Sequence, residues 1–141
     1  MELKENKGRQ DHWFLKGRVV SGAREASFFT QLEWVQLQCQ RKLGFKPFPG
    51  TLNLEIGEES LSVMEVIKRV KAVALIPPDP KYCEARALPL IVGGIGGALI
   101  IPSEDVNIHG KNIVEVIAPV KLKGALGLTE GDSVVLAIRR L

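Results

Sequence analysis

Cysteine is scarce: Cys39 and Cys83 are the only two in 141 residues. They have neither the spacing of a metal site nor the density of a disulfide scaffold, so both read as reduced thiols of a cytoplasmic protein. Histidine is equally rare, and His12 and His109 lack ligand-spaced companions, which makes both surface residues and leaves catalysis by either unsupported. Long apolar runs are missing, since no stretch approaches the roughly 20 residues of a membrane span, and a transmembrane helix is excluded. The opening MELKENKGRQDHW is polar and unlike a secretory signal. An excess of one charge is also lacking. Nineteen Lys and Arg stand against 16 Asp and Glu, and a net charge of +3 without a basic stripe argues against nucleic acid as a partner. A modest preference for anionic ligands is the most it suggests.

What is present is a core. With 45% apolar and 25% charged residues the chain can bury a single compact domain. Residues 1–13 lack apolar periodicity and read as a flexible tail, with one domain over 14–141. Leu15 to Ser21 has strand character. Phe28, Leu32, Val35, Cys39 and Leu43 recur at three- and four-residue steps, which predicts a helix with one buried face. Thr30 and Glu33 stand at capping-box spacing, and Gly44 supplies a left-handed stop. Pro47 and Pro49 then forbid helix and deliver an extended chain into Thr51–Ile56, a strand. A second capping pattern, Ser62 to Glu65, predicts a shorter helix through Arg69, followed by a strand over Val70–Ile76 that Pro77 ends.

The second half reads as β. Strands over 84–92 and 98–101 flank GGIGG, a hairpin connection, because glycine accepts positive φ. A further strand covers 112–117, a helical turn 121–126, a turn 129–132, and a last strand 133–139. Six or seven short strands without a strand-helix repeat predict a small closed barrel, mainly β, with one main helix. Trp13 and Trp34 read as packing residues.

Thr51 and Asn53 carry the best chemical signal. Residues i and i+2 on a strand share a face, so the hydroxyl and the carboxamide reach one point while Leu52 and Leu54 enter the core. Two neutral oxygens suit a magnesium ion balanced mainly by nucleotide phosphates; an ordinary exposed strand face is the competing reading. Ser21 to Ser27 (SGAREAS) joins a strand to a helix, where backbone amides receive anions, but it has one glycine where phosphate cradles have several. Arg24 offers a planar fork for phosphate instead, and a plain loop is the alternative. Gly93, Gly94, Gly96 and Gly97 precede no helix, which favours a hairpin over a nucleotide loop. Glu115, within an apolar strand, faces solvent or lines a cavity where it would orient or deprotonate a substrate hydroxyl. Lys121 and Lys123 hold phosphate or are simply solvated.

Taken in order, SGAREASFF, LGFKPFPGTLNLEI, GALIIP and IVEVIAPVKLKGALGLTEGDSV resemble the archaeal-type, CTP-dependent riboflavin kinase family from about Leu15 to Arg139. The resemblance implies a six-stranded cradle-loop barrel. It implies that Thr51 and Asn53 hold Mg²⁺, and that the CTP phosphates meet Gly22, Ala23, Arg24, Glu25, Ala26 and Ser27. It also implies that Val120, Lys121, Leu122 and Lys123 surround the nucleotide, and that Glu115 and Asn107 contact the flavin substrate. The implied reaction moves the γ-phosphoryl group of CTP to the terminal ribityl hydroxyl of riboflavin, giving FMN and CDP, with Glu115 the catalytic candidate and a monomer expected. The chain departs from the family where Arg24 and Ala26 replace glycines, and where Gly96 and Gly97 stand in place of an acidic residue. A flavin- or nucleotide-binding sensor on the same barrel is the alternative class. A DNA-binding barrel is another, suggested by the closing GLTEGDSVVLAIRR.

Overall fold

The computed structural model describes residues 11–22, 29–81, 84–102 and 112–141. Its strands are β1 (His12–Val20), β2 (Leu52–Ile56), β3 (Val73–Leu75), β4 (Ala85–Val92), β5 (Ile95–Pro102), β6 (Ile113–Ile117) and β7 (Ser133–Arg139). Its helices are α1 (Glu33–Leu43), α2 (Leu61–Ile67) and α3 (Leu122–Leu126), with a 3₁₀ turn at Glu58–Ser60.

Neighbouring strands are antiparallel in the order β3-β4-β5-β6-β2-β1-β7, and a further pairing of β4 with β7 closes six of them into a barrel, leaving β3 as an extra strand. The expectation of a mainly β, six-stranded barrel is met. β4 makes the closure possible by changing neighbour along its length. Residues 85–87 pair with β3, and Leu90 and Ile91 pair with β7. Pro89, which has no N–H to give, sits in the gap between those two ladders, where a missing donor costs nothing.

Inward side chains of the ring, among them Leu15, Leu54, Leu88, Leu99, Leu136 and Ile138, are fully buried and form one core with α2. Cutting any of these leucines to alanine costs about 2–5 kcal/mol. A second cluster lies outside the barrel, where Val35 and Cys39 of α1 pack on Leu75, Ala85, Ala87, Ala98 and Ile117. Trp34 meets Phe29 edge to face at 5.9 Å, and Arg140 lies 4.5 Å over the Trp13 ring, so both tryptophans pack as expected.

The glycine hairpin is real and tighter than expected. Gly93 and Gly94, with φ of 55° and 79°, form a two-residue turn, and Gly96 and Gly97 belong to β5. Helix α1 ends at Gly44 with φ 88°, as predicted.

Other boundaries differ for physical reasons. β1 begins at His12 rather than Leu15, because residues 12–14 pair with Arg139, Ile138 and Ala137. The Thr30–Glu33 capping box does not form: α1 is preceded by Leu32 without a side-chain cap, and the buried Thr30 hydroxyl instead accepts the Gly50 N–H at 2.7 Å. Ser62 lies inside α2 and caps nothing, since the 3₁₀ turn already leads the chain into the helix. That turn is tied to β1 by the Lys16 N–H, which donates to the Ser60 hydroxyl at 3.0 Å. The strand expected over Val70–Ile76 shrinks to β3. Arg86 donates to the Lys68 and Val70 carbonyls at 2.7 and 3.0 Å and holds residues 68–70 in a turn at the end of α2.

Helix α1 also covers the outer side of β3. The Gln38 amide group pairs with the Ile76 backbone in both directions, accepting its N–H at 2.8 Å and donating to its carbonyl at 2.6 Å, while Lys42 donates to the Ala74 carbonyl at 2.7 Å.

Candidate functional site

The chain leaves α1 through Pro47 and Pro49, whose fixed torsions keep it extended, and enters β2 at Leu52. Thr51 and Asn53 therefore face the same way. Across the sheet Asn53 pairs in register with Val20 on β1 and with Glu115 on β6, which brings the three polar side chains of the sequence reading together. Asn53 Nδ2 donates to Thr51 Oγ1 at 3.2 Å, and the Thr51 hydroxyl donates to Glu115 Oε1 at 3.2 Å.

Asn53 is only 5% exposed, so the exposed-strand-face reading is overturned. Its Oδ1 is buried and has no hydrogen-bond partner, the one such side-chain atom among the described residues. An orphaned buried acceptor costs about 1–3 kcal/mol and calls for a partner from outside the chain. Among the described residues no group of three or more His, Cys, Asp or Glu could hold a metal. Here the donors are two neutral oxygens with one carboxylate beside them. That set fits a small hard dication of the magnesium kind, which takes few protein ligands and keeps other positions for water or phosphate. Glu115 is half-buried against Thr51, which decides against a freely solvated face.

Gly22 approaches this cluster from the end of β1. A Cβ there would fall on the Asn53 carboxamide, 2.8 Å from Oδ1 and closer still to the rest of the amide, so only glycine fits. Just before it, the Ser21 hydroxyl donates to Glu130 at 2.6 Å. The segment expected to meet phosphates thus starts against the proposed metal ligand. Its remaining residues, Ala23, Arg24, Glu25, Ala26 and Ser27, lie outside the described residues, as do Asn107, His109 and Cys83.

Beside the cluster a cleft of about 150 Å³ opens between two walls. Phe48, Pro49, Gly50, Thr51 and Leu52 form one, and Val116, Ala118, Val120, Lys121, Leu122 and Lys123 the other. All four residues of 120–123, which the resemblance assigns to the nucleotide, line this cleft. The Phe48 N–H, donating to the Ala118 carbonyl at 2.7 Å, joins the two walls. Sequence reasoning missed Phe48 as a lining residue; the signal in the sequence is an aromatic held between Pro47 and Pro49 just ahead of the Thr51–Asn53 strand, and the structure leaves it 40% exposed.

The family model named for the CTP-dependent riboflavin kinase, described as "Domain of unknown function DUF120", matches residues 19–138. Riboflavin kinase of Archaeoglobus fulgidus is 35% identical over 127 residues, covering 88% of this chain and 54% of the relative. Riboflavin kinase of Ignicoccus hospitalis is 37% identical over 127 residues, 88% of this chain and 70% of the relative. That of Thermococcus kodakarensis is 39% identical over 126 residues, 86% of this chain and 57% of the relative. The chain thus spans from 54% to 70% of the lengths of these three proteins.

Proposed function

Because the chain belongs to the CTP-dependent riboflavin kinase family, we propose that it transfers the γ-phosphoryl group of CTP to the terminal ribityl hydroxyl of riboflavin, giving FMN and CDP. The observation that carries this reading is the orphaned Asn53 Oδ1, which lies against Gly22 in the cluster with Thr51 and Glu115, beside the cleft that Thr51 lines. Phosphoryl transfer asks little covalent chemistry of a protein; it depends on placing two substrates in line and neutralising charge.

In this assignment Thr51 and Asn53 hold Mg²⁺, which when bound offsets the negative charge of the triphosphate. The cleft between residues 48–52 and 116–123 takes the nucleotide, with Lys121 and Lys123 adding positive charge beside the phosphates. Glu115 accepts a hydrogen bond from the ribityl hydroxyl and orients its oxygen toward the γ-phosphorus. A new O–P bond forms there as the bond to the β-phosphate oxygen breaks, and the hydroxyl proton leaves to phosphate or water.

The test is a donor panel: riboflavin and Mg²⁺ with CTP, ATP, GTP or UTP, read by flavin chromatography. FMN is expected with CTP, and it should disappear when Mg²⁺ is chelated. Folded protein that makes no FMN from any donor overturns the proposal, and tight flavin or CTP binding without turnover would assign a sensor instead.

A further inference from the structure

The wall of the cleft that leads into Thr51 is held by side chains that do not line it. Thr30, in the helical turn at residues 29–31, is fully buried, and its hydroxyl accepts the Gly50 N–H at 2.7 Å. Gln36, on α1, donates from one Nε2 to the Thr30 carbonyl at 2.6 Å and to the Pro47 carbonyl at 2.8 Å. These bonds fix both ends of the Pro47–Gly50 segment to two successive helical pieces, the 29–31 turn and α1. Gly50 has φ 119°, so the direction in which the chain enters Thr51 is set at a residue with unusual torsional freedom. The Thr51 Cα is one peptide away, about 3.8 Å from that of Gly50. The bond to the Gly50 amide is therefore a restraint placed one residue ahead of the Thr51 hydroxyl.

We propose that Thr30 is a positioning residue for the phosphoryl transfer: through the Gly50 amide it holds Thr51 at the metal site and Phe48–Gly50 against the nucleotide, with Gln36 holding Thr30 in turn. This rests on the kinase reading above. Thr30 touches neither substrate. It acts by restraining the segment before Thr51, and misplacement of a ligand or binding wall by about 1 Å can cost roughly 100-fold in rate.

Two substitutions separate the hydroxyl from packing. Thr30→Val keeps the shape and removes the hydrogen bond, whereas Thr30→Ser keeps the hydroxyl and removes a methyl group. In Thr30→Val, the CTP KM and the Mg²⁺ concentration for half-maximal FMN formation are expected to rise about 10-fold, with faster hydrogen exchange at the Gly50 amide. Thr30→Ser should stay within about twofold of wild type in both constants and keep the amide protected. A purely structural role would lower the active fraction and so kcat, without moving either constant. Should Thr30→Val fail to fold, Gln36→Leu is expected to raise the same two constants.

If Thr30→Ser is impaired as much as Thr30→Val, or if neither Thr30→Val nor Gln36→Leu moves the constants while wild type makes FMN, the positioning role is overturned and the kinase reading stands. Wild-type protein that makes no FMN overturns the kinase reading itself.

Discussion

Asn53 stands directly across the β2–β6 ladder from Glu115, and the Thr51 hydroxyl lies between them, donating to the Glu115 carboxylate and accepting from the Asn53 amide. The pairing leaves Asn53 Oδ1 buried and unsatisfied. Such an atom lowers stability, and proteins keep such local faults chiefly at functional sites.

Asn53→Leu tests this trade. Leucine shares the branching of asparagine and has no orphan acceptor, but it is bulkier and meets Gly22. Relief of the buried oxygen and overpacking oppose each other, so the metal-free variant should melt within about 5 °C of wild type. Its FMN formation should fall by about 100-fold or more, the scale of losing a group that stabilises developing charge. Added Mg²⁺ with CTP should raise the melting temperature of wild type and not of the variant. Thermal denaturation and flavin chromatography on the same preparations check all three.

Gly22→Ala places a methyl group on the Asn53 carboxamide. The expected outcome is a loss of about 1–3 kcal/mol in denaturant unfolding, the usual range for overpacking, together with loss of FMN formation as Asn53 is pushed aside. Ser21→Ala, one residue earlier and exposed, should change stability by less than about 1 kcal/mol, and the contrast isolates the close approach at Gly22.

Burial pushes the Cys39 thiol up from 9.0 to about 11. The thiolate is the reactive form, so native protein at pH 8 should resist iodoacetamide at Cys39, whereas unfolded protein is labelled there, as peptide mass spectrometry can show. Linkage gives a second readout. Between pH 9 and 11 the unfolded chain has released this proton and the folded chain has kept it, so stability falls with rising pH by up to about 1.4 kcal/mol per unit. Below pH 9 both states hold the proton and this contribution does not vary. Cys39→Ala should flatten the slope in that window.

Much of this was legible in the sequence where short-range physics decides. The three- and four-residue spacing of Leu32, Val35, Cys39 and Leu43 located α1, and period-two alternation put Thr51 and Asn53 on one face. Tertiary choices were not legible. Thr30 has the spacing of a helix cap, and only the fold shows that Gly50 takes its hydroxyl. Val70 and Ala72 flank Lys71 in a strand-like alternation, yet Arg86, distant in sequence, keeps Val70 in a turn. Barrel closure rests on Leu90 and Ile91 meeting Ile138 and Ala137, a pairing that no local pattern announces. The fit of Gly22 to Asn53 is likewise a contact between two elements, invisible to spacing within either.

The extra strand β3 lies outside the closed ring, and a strand in that position ordinarily presents a row of free backbone groups to other molecules. Gln38 and Lys42 occupy the Ala74 and Ile76 groups that such a molecule would need. The chain therefore carries its own guard against fibrillar self-association, built from polar side chains of a helix.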